Sequence, residues 1–270
     1  MPLVDYNPTS MSDTDRDIAT DGPRRFRLIS CRVLQREAYF CASRSSNIVD
    51  VDLVEQGLHN EPNKLTTELQ RSIDETDPDT YEAVLLGYGL CSNGIAGLTA
   101  PVTMAVPRGH DCMTLLLGSK ERYRDYFDKH RGIYWYSPGW IEYANQPGKR
   151  RFDVLRESYV EKYGDENADY LMEMEQNWMT EYSRATFIQW PFPESDRYRS
   201  FTKKCAEFMD WEYDEVPGDP GLFQRLMDGV WNDSETLIVE PGQQIVSDPA
   251  SPGIIRAVDL SAKIHGIEGN

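Results

Sequence analysis

The sequence predicts an α/β protein, with a flavodoxin-like parallel sheet lobe followed by a second, smaller α/β lobe. Three observations predict it. Short apolar runs alternate with segments of helical periodicity over the first half of the chain, in the order β-α-β-α-β-crossover-β-α-β. Two of those runs, within Tyr81–Leu86 and Val102–Val106, are apolar throughout, as strands covered on both faces are. Each of the two then enters a Gly-containing turn, Gly87-Tyr88-Gly89 and Pro107-Arg108-Gly109, of the kind that leaves the carboxyl edge of such a sheet.

Taken in order, Arg25–Ser30 reads as a strand ending at Cys31. Leu34, Ala38 and Cys41 then keep helical spacing over Arg32–Arg44. Ile48–Val54 alternates apolar and acidic residues, which suits a strand near a sheet edge, and leads to His59. Pro62 opens a helix carrying Leu65, Leu69 and Ile73 on one stripe, and Asp77-Pro78-Asp79 stops it. After the two central strands, one helix is expected from Met113 to His130, then a fifth strand, Ile133–Tyr136, closed by Ser137-Pro138-Gly139. Gln146-Pro147-Gly148-Lys149 reads as a hinge. Beyond it, Phe152, Leu155, Tyr159 and Tyr163 mark one helix, and Leu171, Met174, Trp178 and Tyr182 a second. Thr186–Trp190 reads as a strand, Tyr198, Phe201, Cys205 and Phe208 mark a helix, and Thr236–Val239 is the last strand. The expected organisation is a disordered leader (1–23), a metal-binding lobe (24–145), a second lobe (146–250) and a tail (251–270), without internal repeats.

The chain has 270 residues and a formal charge of −17. Such a field repels nucleic acid and anionic membranes, so neither is an expected partner. No apolar run approaches the roughly 20 residues that span a bilayer, and the polar, acidic start does not read as a signal peptide. The expected compartment is the cytoplasm, where the five cysteines stay reduced and serve as core residues, ligands or nucleophiles.

Three of those cysteines fall at strand ends. In a 2-1-3-4-5 sheet the first strand neighbours the third and the third neighbours the fourth. Cys31 ends the first, Cys91 follows the third, and His110 with Cys112 follows the fourth. Three thiols and one imidazole make a tetrahedral zinc set, and three thiols also suit an iron–sulfur cluster. The bland alternative for each cysteine is a small buried residue at a strand end. Cys41 and Cys205 sit on apolar helical stripes and read as inert core thiols. Asp111 reads either as a group orienting His110 or as a helix N-cap. His59 is a candidate acid or base, or a loop residue. Arg108 is a candidate for holding an anionic group, or for a surface ion pair. Trp135, Tyr136 and Trp140 are candidates for a substrate cage around a quaternary ammonium, or for packing between lobes.

The segments Gly87–Gly94, Pro107–Cys112, Leu117-Gly118-Ser119 and Tyr136–Trp140 resemble the signature of the prokaryotic family DUF1638, over about Phe26 to Ile245. The resemblance implies a soluble prokaryotic protein associated with corrinoid-dependent methyl transfer from methylamines and betaines. A corrinoid protein or a methyltransferase is then an implied partner. In chemistry alone, His110-Asp111-Cys112 is also similar to the His-x-Cys of zinc-dependent thiol methyltransferases of the uroporphyrinogen-decarboxylase type. The order departs from theirs, because Cys31 and Cys91 precede the pair here. The resulting expectation is a metal-dependent transferase of one-carbon metabolism that activates a thiol or small polar substrate. An iron–sulfur protein in electron transfer or corrinoid activation, and an accessory protein with structural zinc, are the alternatives.

Overall fold

The computed structural model describes residues 22–248 and 250–261. Most of the expected leader, and the end of the expected tail, lie outside the described residues. The main sheet contains β1 (Arg25–Cys31), β2 (Ile48–Val54), β3 (Ala83–Gly87), β4 (Thr103–Pro107) and β8 (Thr236–Val239), in the order β2-β1-β3-β4-β8. The first four are parallel, in the expected flavodoxin-like order. A second sheet, β5 (Ile133–Tyr136), β6 (Arg184–Gln189) and β7 (Glu212–Pro217), is parallel throughout. A hairpin, β9 (Gln243–Asp248) with β10 (Ile254–Asp259), follows.

Every residue of β3 is buried, as its unbroken apolar sequence requires, whereas the acidic alternation of β2 leaves it half-exposed on the sheet edge. The helices α1 (Gln35–Ala42) and α9 (Gly221–Asp228) pack together, with α9 against β3 and β4, while α2 (Pro62–Asp74) packs on β1. The remaining helices are α3 (Cys112–Leu117), α4 (Lys120–Lys129), α5 (Pro138–Tyr143), α6 (Lys149–Tyr163), α7 (Asp165–Gln176) and α8 (Ser195–Met209).

Strand pairing crosses the expected lobe boundary at residue 145. Ile133–Tyr136 is not the fifth strand of the first sheet; it pairs with β6. The open edge of β4 is taken instead by Thr236–Val239, which runs antiparallel to it, Ala105 opposite Ile238. Local periodicity identifies a strand but not its neighbour, and an antiparallel partner can return from any distance along the chain. The expected single helix 113–130 is two. Gly118 adopts φ +83° and ends α3, its amide donating to Thr114 O, and Ser119 accepts from the Arg122 amide to start α4. A Cβ at Gly118 would stand 2.5 Å from the Asp219 side chain, so the break is also a packing contact. The two sheets are joined where the Trp190 indole donates to Leu116 O (3.0 Å, buried).

One core residue is out of character. Glu37 on α1 is fully buried, and neither carboxyl oxygen has a hydrogen-bond partner. Desolvation pushes its pKa up to about 8. The unfolded chain releases this proton near 4.5, so between those values the folded state binds more protons. Stability therefore falls as pH rises through that window, by at most about 1.4 kcal/mol per unit. Glu37→Gln removes that slope and is the more stable form at pH 8. Urea unfolding at pH 6, 7 and 8 checks this, and parallel pH responses of the two proteins would contradict it.

Candidate functional site

The register of the main sheet sets the site. Ser30 lies opposite Gly87, so Cys31 and Tyr88 leave adjacent strands at the same level. The loops after β3 and β4 are then tied backbone to backbone: the Leu90 amide donates to Gly109 O (2.8 Å) and the Cys91 amide to His110 O (2.9 Å). Such contact demands glycine. A Cβ at Gly89 would lie 2.6 Å from the Asp111 amide nitrogen across the junction; one at Gly109 would instead lie 2.7 Å from the Thr114 Cβ on α3. After this junction Cys91, Ser92 and Asn93 all adopt left-handed backbone, at φ +45°, +56° and +70°. Three successive non-glycine residues there cost about 1–2 kcal/mol each, a form of strain that concentrates at functional loops.

The strand ends enclose a cavity of about 310 Å³. Cys31, Cys91 and Cys112 all line it, as do Tyr88, His59 and Trp140. Cys41 and Cys205 are not among its lining residues, and both are buried in the cores, as expected. Burial raises the pKa of all three, Cys91 to about 12, and the nearby Asp111 carboxylate raises Cys91 and Cys112 further. The protein alone therefore holds three neutral thiols at neutral pH. Among the described residues, no group of three or more His, Cys, Asp or Glu side chains stands in a metal-ligating arrangement.

Two donors face these sulfurs. The Tyr88 hydroxyl is buried and has no hydrogen bond of good geometry, yet it stands close enough to Cys31 to favour its ionisation. The Trp140 indole N–H is likewise without a partner and bears on Cys112 in the same way. Tyr88 is absent from the candidates read from the sequence; its place between the two glycines was the available signal.

His110 is exposed and lines the cavity, while its backbone carbonyl carries the loop junction. Asp111 is the helix N-cap, one of its two expected roles: Oδ1 caps α3 by accepting from the Met113 amide (2.9 Å), while Oδ2 accepts from the Tyr123 hydroxyl (2.9 Å) and not from His110. Desolvation raises its pKa. His59 packs edge-on against Trp140, and burial lowers its pKa, so its imidazole is neutral.

The remaining expected site residues lie elsewhere. Arg108 is buried and committed to Asp233 O (2.6 Å), Asp233 Oδ1 (2.7 Å) and Gly253 O (3.1 Å), clamping the end of β4 to later loops. Its guanidinium is used up by structure, so the expected anion-holding role has no free donor face. Trp135 packs against Tyr126, and the Tyr136 hydroxyl donates to Pro147 O in the second core. Of the three aromatic residues expected in a cage, Trp140 alone lines the cavity.

A family model described as a protein of unknown function, DUF1638, matches residues 53–227. The chain belongs to that family. The match includes the Cys91 and His110–Cys112 loops and Trp140, while Cys31 precedes it. No curated protein and no solved structure matches this member of DUF1638. Among the described residues, no helix is long and apolar enough to cross a membrane.

Trp140 reaches the cavity because Gly139 lets α5 press on the segment after Cys31. A Cβ at Gly139 would fall 1.7 Å from Val33 O, a backbone atom that cannot step aside. Gly139→Ala is expected to lower stability by about 2 kcal/mol or more, as overpacking does. It also frees Trp140, read as a red shift of indole emission. Unchanged stability and emission would refute this seating of α5.

Proposed function

We propose that this protein is a metal-dependent, cytoplasmic protein of one-carbon metabolism. In this reading Cys31, Cys91 and Cys112 hold a thiophilic cation, zinc by preference, and the cavity beside them takes a thiol or small polar substrate. The observation that carries the proposal is the meeting of three thiols, from three separate strand ends, at one cavity of about 310 Å³. The two unpartnered donors beside these thiols support a functional reading over the burial of small residues.

The donor chemistry fits a soft cation. The resting side-chain positions do not yet form a ligating group, so ligation requires the thiols to turn toward a common point. A bound cation would supply the positive charge that ionises protein thiols, and a substrate thiol, near neutral pH. The chain supplies the rest. The Tyr88 hydroxyl and the Trp140 indole N–H are poised to donate to sulfur once it is anionic. His59, neutral and half-buried at the cavity wall, is suited to accept a proton from an entering substrate. Asp111, held by Tyr123 and the Met113 amide, keeps the Cys112 turn in place. A corrinoid protein or methyltransferase as partner follows from the family resemblance alone.

The same three thiols favour one rival, an iron–sulfur cluster serving electron transfer or corrinoid activation. Metal analysis and a visible spectrum of anaerobically purified protein separate the two, since zinc is colourless and a cluster is brown and bleaches on reduction. With either metal, Cys91→Ala is expected to lose stoichiometric binding and Cys205→Ala to keep it. Equal loss in both variants, or a wild type free of metal, would refute the proposal.

A further inference from the structure

A second cavity, about 550 Å³, borders the thiol cavity. His110 lines both, and Tyr123, in the wall of the second, donates to Asp111 in the wall of the first. Its volume lies within the range of small-molecule sites.

The lining is unusual for a chain of net charge −17. Two cations reach the second cavity, Lys120 and Arg124, against one carboxylate, Glu121. Lys120 Nζ donates to Ser234 O (3.0 Å) and Pro252 O (2.7 Å), which are neutral carbonyls, so its charge is not cancelled. Among the described residues, neither Lys120 nor Arg124 takes part in an ion pair, although most of the described arginines do. The rest of the wall includes Phe127, Pro252 and Ile254. Phe127 is 44% exposed, a large apolar surface left open at the rim. Unpaired positive charge over an apolar wall matches a ligand with an anionic head and a short hydrocarbon body.

We infer that the ligand of this protein is a small organic acid that spans both cavities, its anionic head at Lys120 and Arg124 and its reacting end passing His110 toward the thiols. This rests on the thiol-cavity reading above for the reacting end only. The anion site stands on the second cavity itself.

The probes are ω-mercaptoalkanoates, from 3-mercaptopropionate to 6-mercaptohexanoate, each paired with the mercapto-alcohol of equal length. Calorimetry on the protein as purified under nitrogen measures both. At least one acid is expected to bind about tenfold tighter than its alcohol, the usual worth of one charge-assisted contact. Arg124→Gln is expected to erase that ratio without altering the circular dichroism spectrum, and Lys120→Met serves as a second variant. Equal binding of every acid and its alcohol overturns the inference, as does an acid preference that persists in both variants or a failure of the whole series to bind. An acid preference that survives Cys91→Ala upholds the anion site even if the thiol-cavity reading has failed. Loss of binding by acids and alcohols alike in Cys91→Ala, with no acid preference in wild type, does the reverse.

Discussion

Two backbone hydrogen bonds, Leu90 to Gly109 and Cys91 to His110, hold the site together. They lock the loop after β3 to the loop after β4, and so carry Cys91 and Cys112 to the same cavity. A side chain at Gly89 would prevent the approach, because its Cβ would strike the Asp111 backbone, while Gly109 makes room for Thr114 on α3. Cys31 needs no such device, because the parallel register of β1 with β3 already sets it level with Tyr88. The left-handed run Cys91-Ser92-Asn93 is the cost of turning the chain sharply once the junction is made. A fold that retains strain there and spends three glycines on close approach around the cavity has built the cavity as a defined feature.

The electrostatics of that cavity are poised in one direction. Burial keeps the three thiols protonated, with the Asp111 charge adding to it at Cys91 and Cys112, and two unpartnered donors stand ready for negative charge on sulfur. Each unmet donor is expensive to bury, on the order of 1–3 kcal/mol. In the proposed reading, anionic sulfur and the cation that stabilises it would give both donors a partner. Glu37 shows the contrasting case. It is a buried acid that lines neither cavity, and its raised pKa acts on stability.

Much of this was legible in the residues. Apolar runs and crossovers pointed to a parallel α/β sheet, and the flavodoxin-like 2-1-3-4 order expected for one placed Cys31, Cys91 and Cys112 on one sheet edge. The core character of Cys41 and Cys205 followed from their helical stripes. What escaped was non-local. Nothing in Thr236–Val239 says that it pairs antiparallel with β4, and nothing in Ile133–Tyr136 says that it joins the second sheet. Arg108 read as an anion holder or a surface ion pair because its actual partners, Asp233 and Gly253, which bury it, lie more than a hundred residues away. Strand β7, with the charged sequence EYDEVP, has no apolar pattern to betray it and is held by pairing with β6. Tyr88 was hidden by ordinary expectation, since a tyrosine after a buried strand usually finds a partner for its hydroxyl.

The central claim is that sulfur from these three cysteines surrounds one cation. X-ray absorption at the edge of the metal found in anaerobically purified protein counts the sulfur neighbours directly. Three of them, at about 2.3 Å if the ion is zinc, is the predicted result. A shell of nitrogen and oxygen alone would contradict it, because the ion would then sit away from Cys31, Cys91 and Cys112.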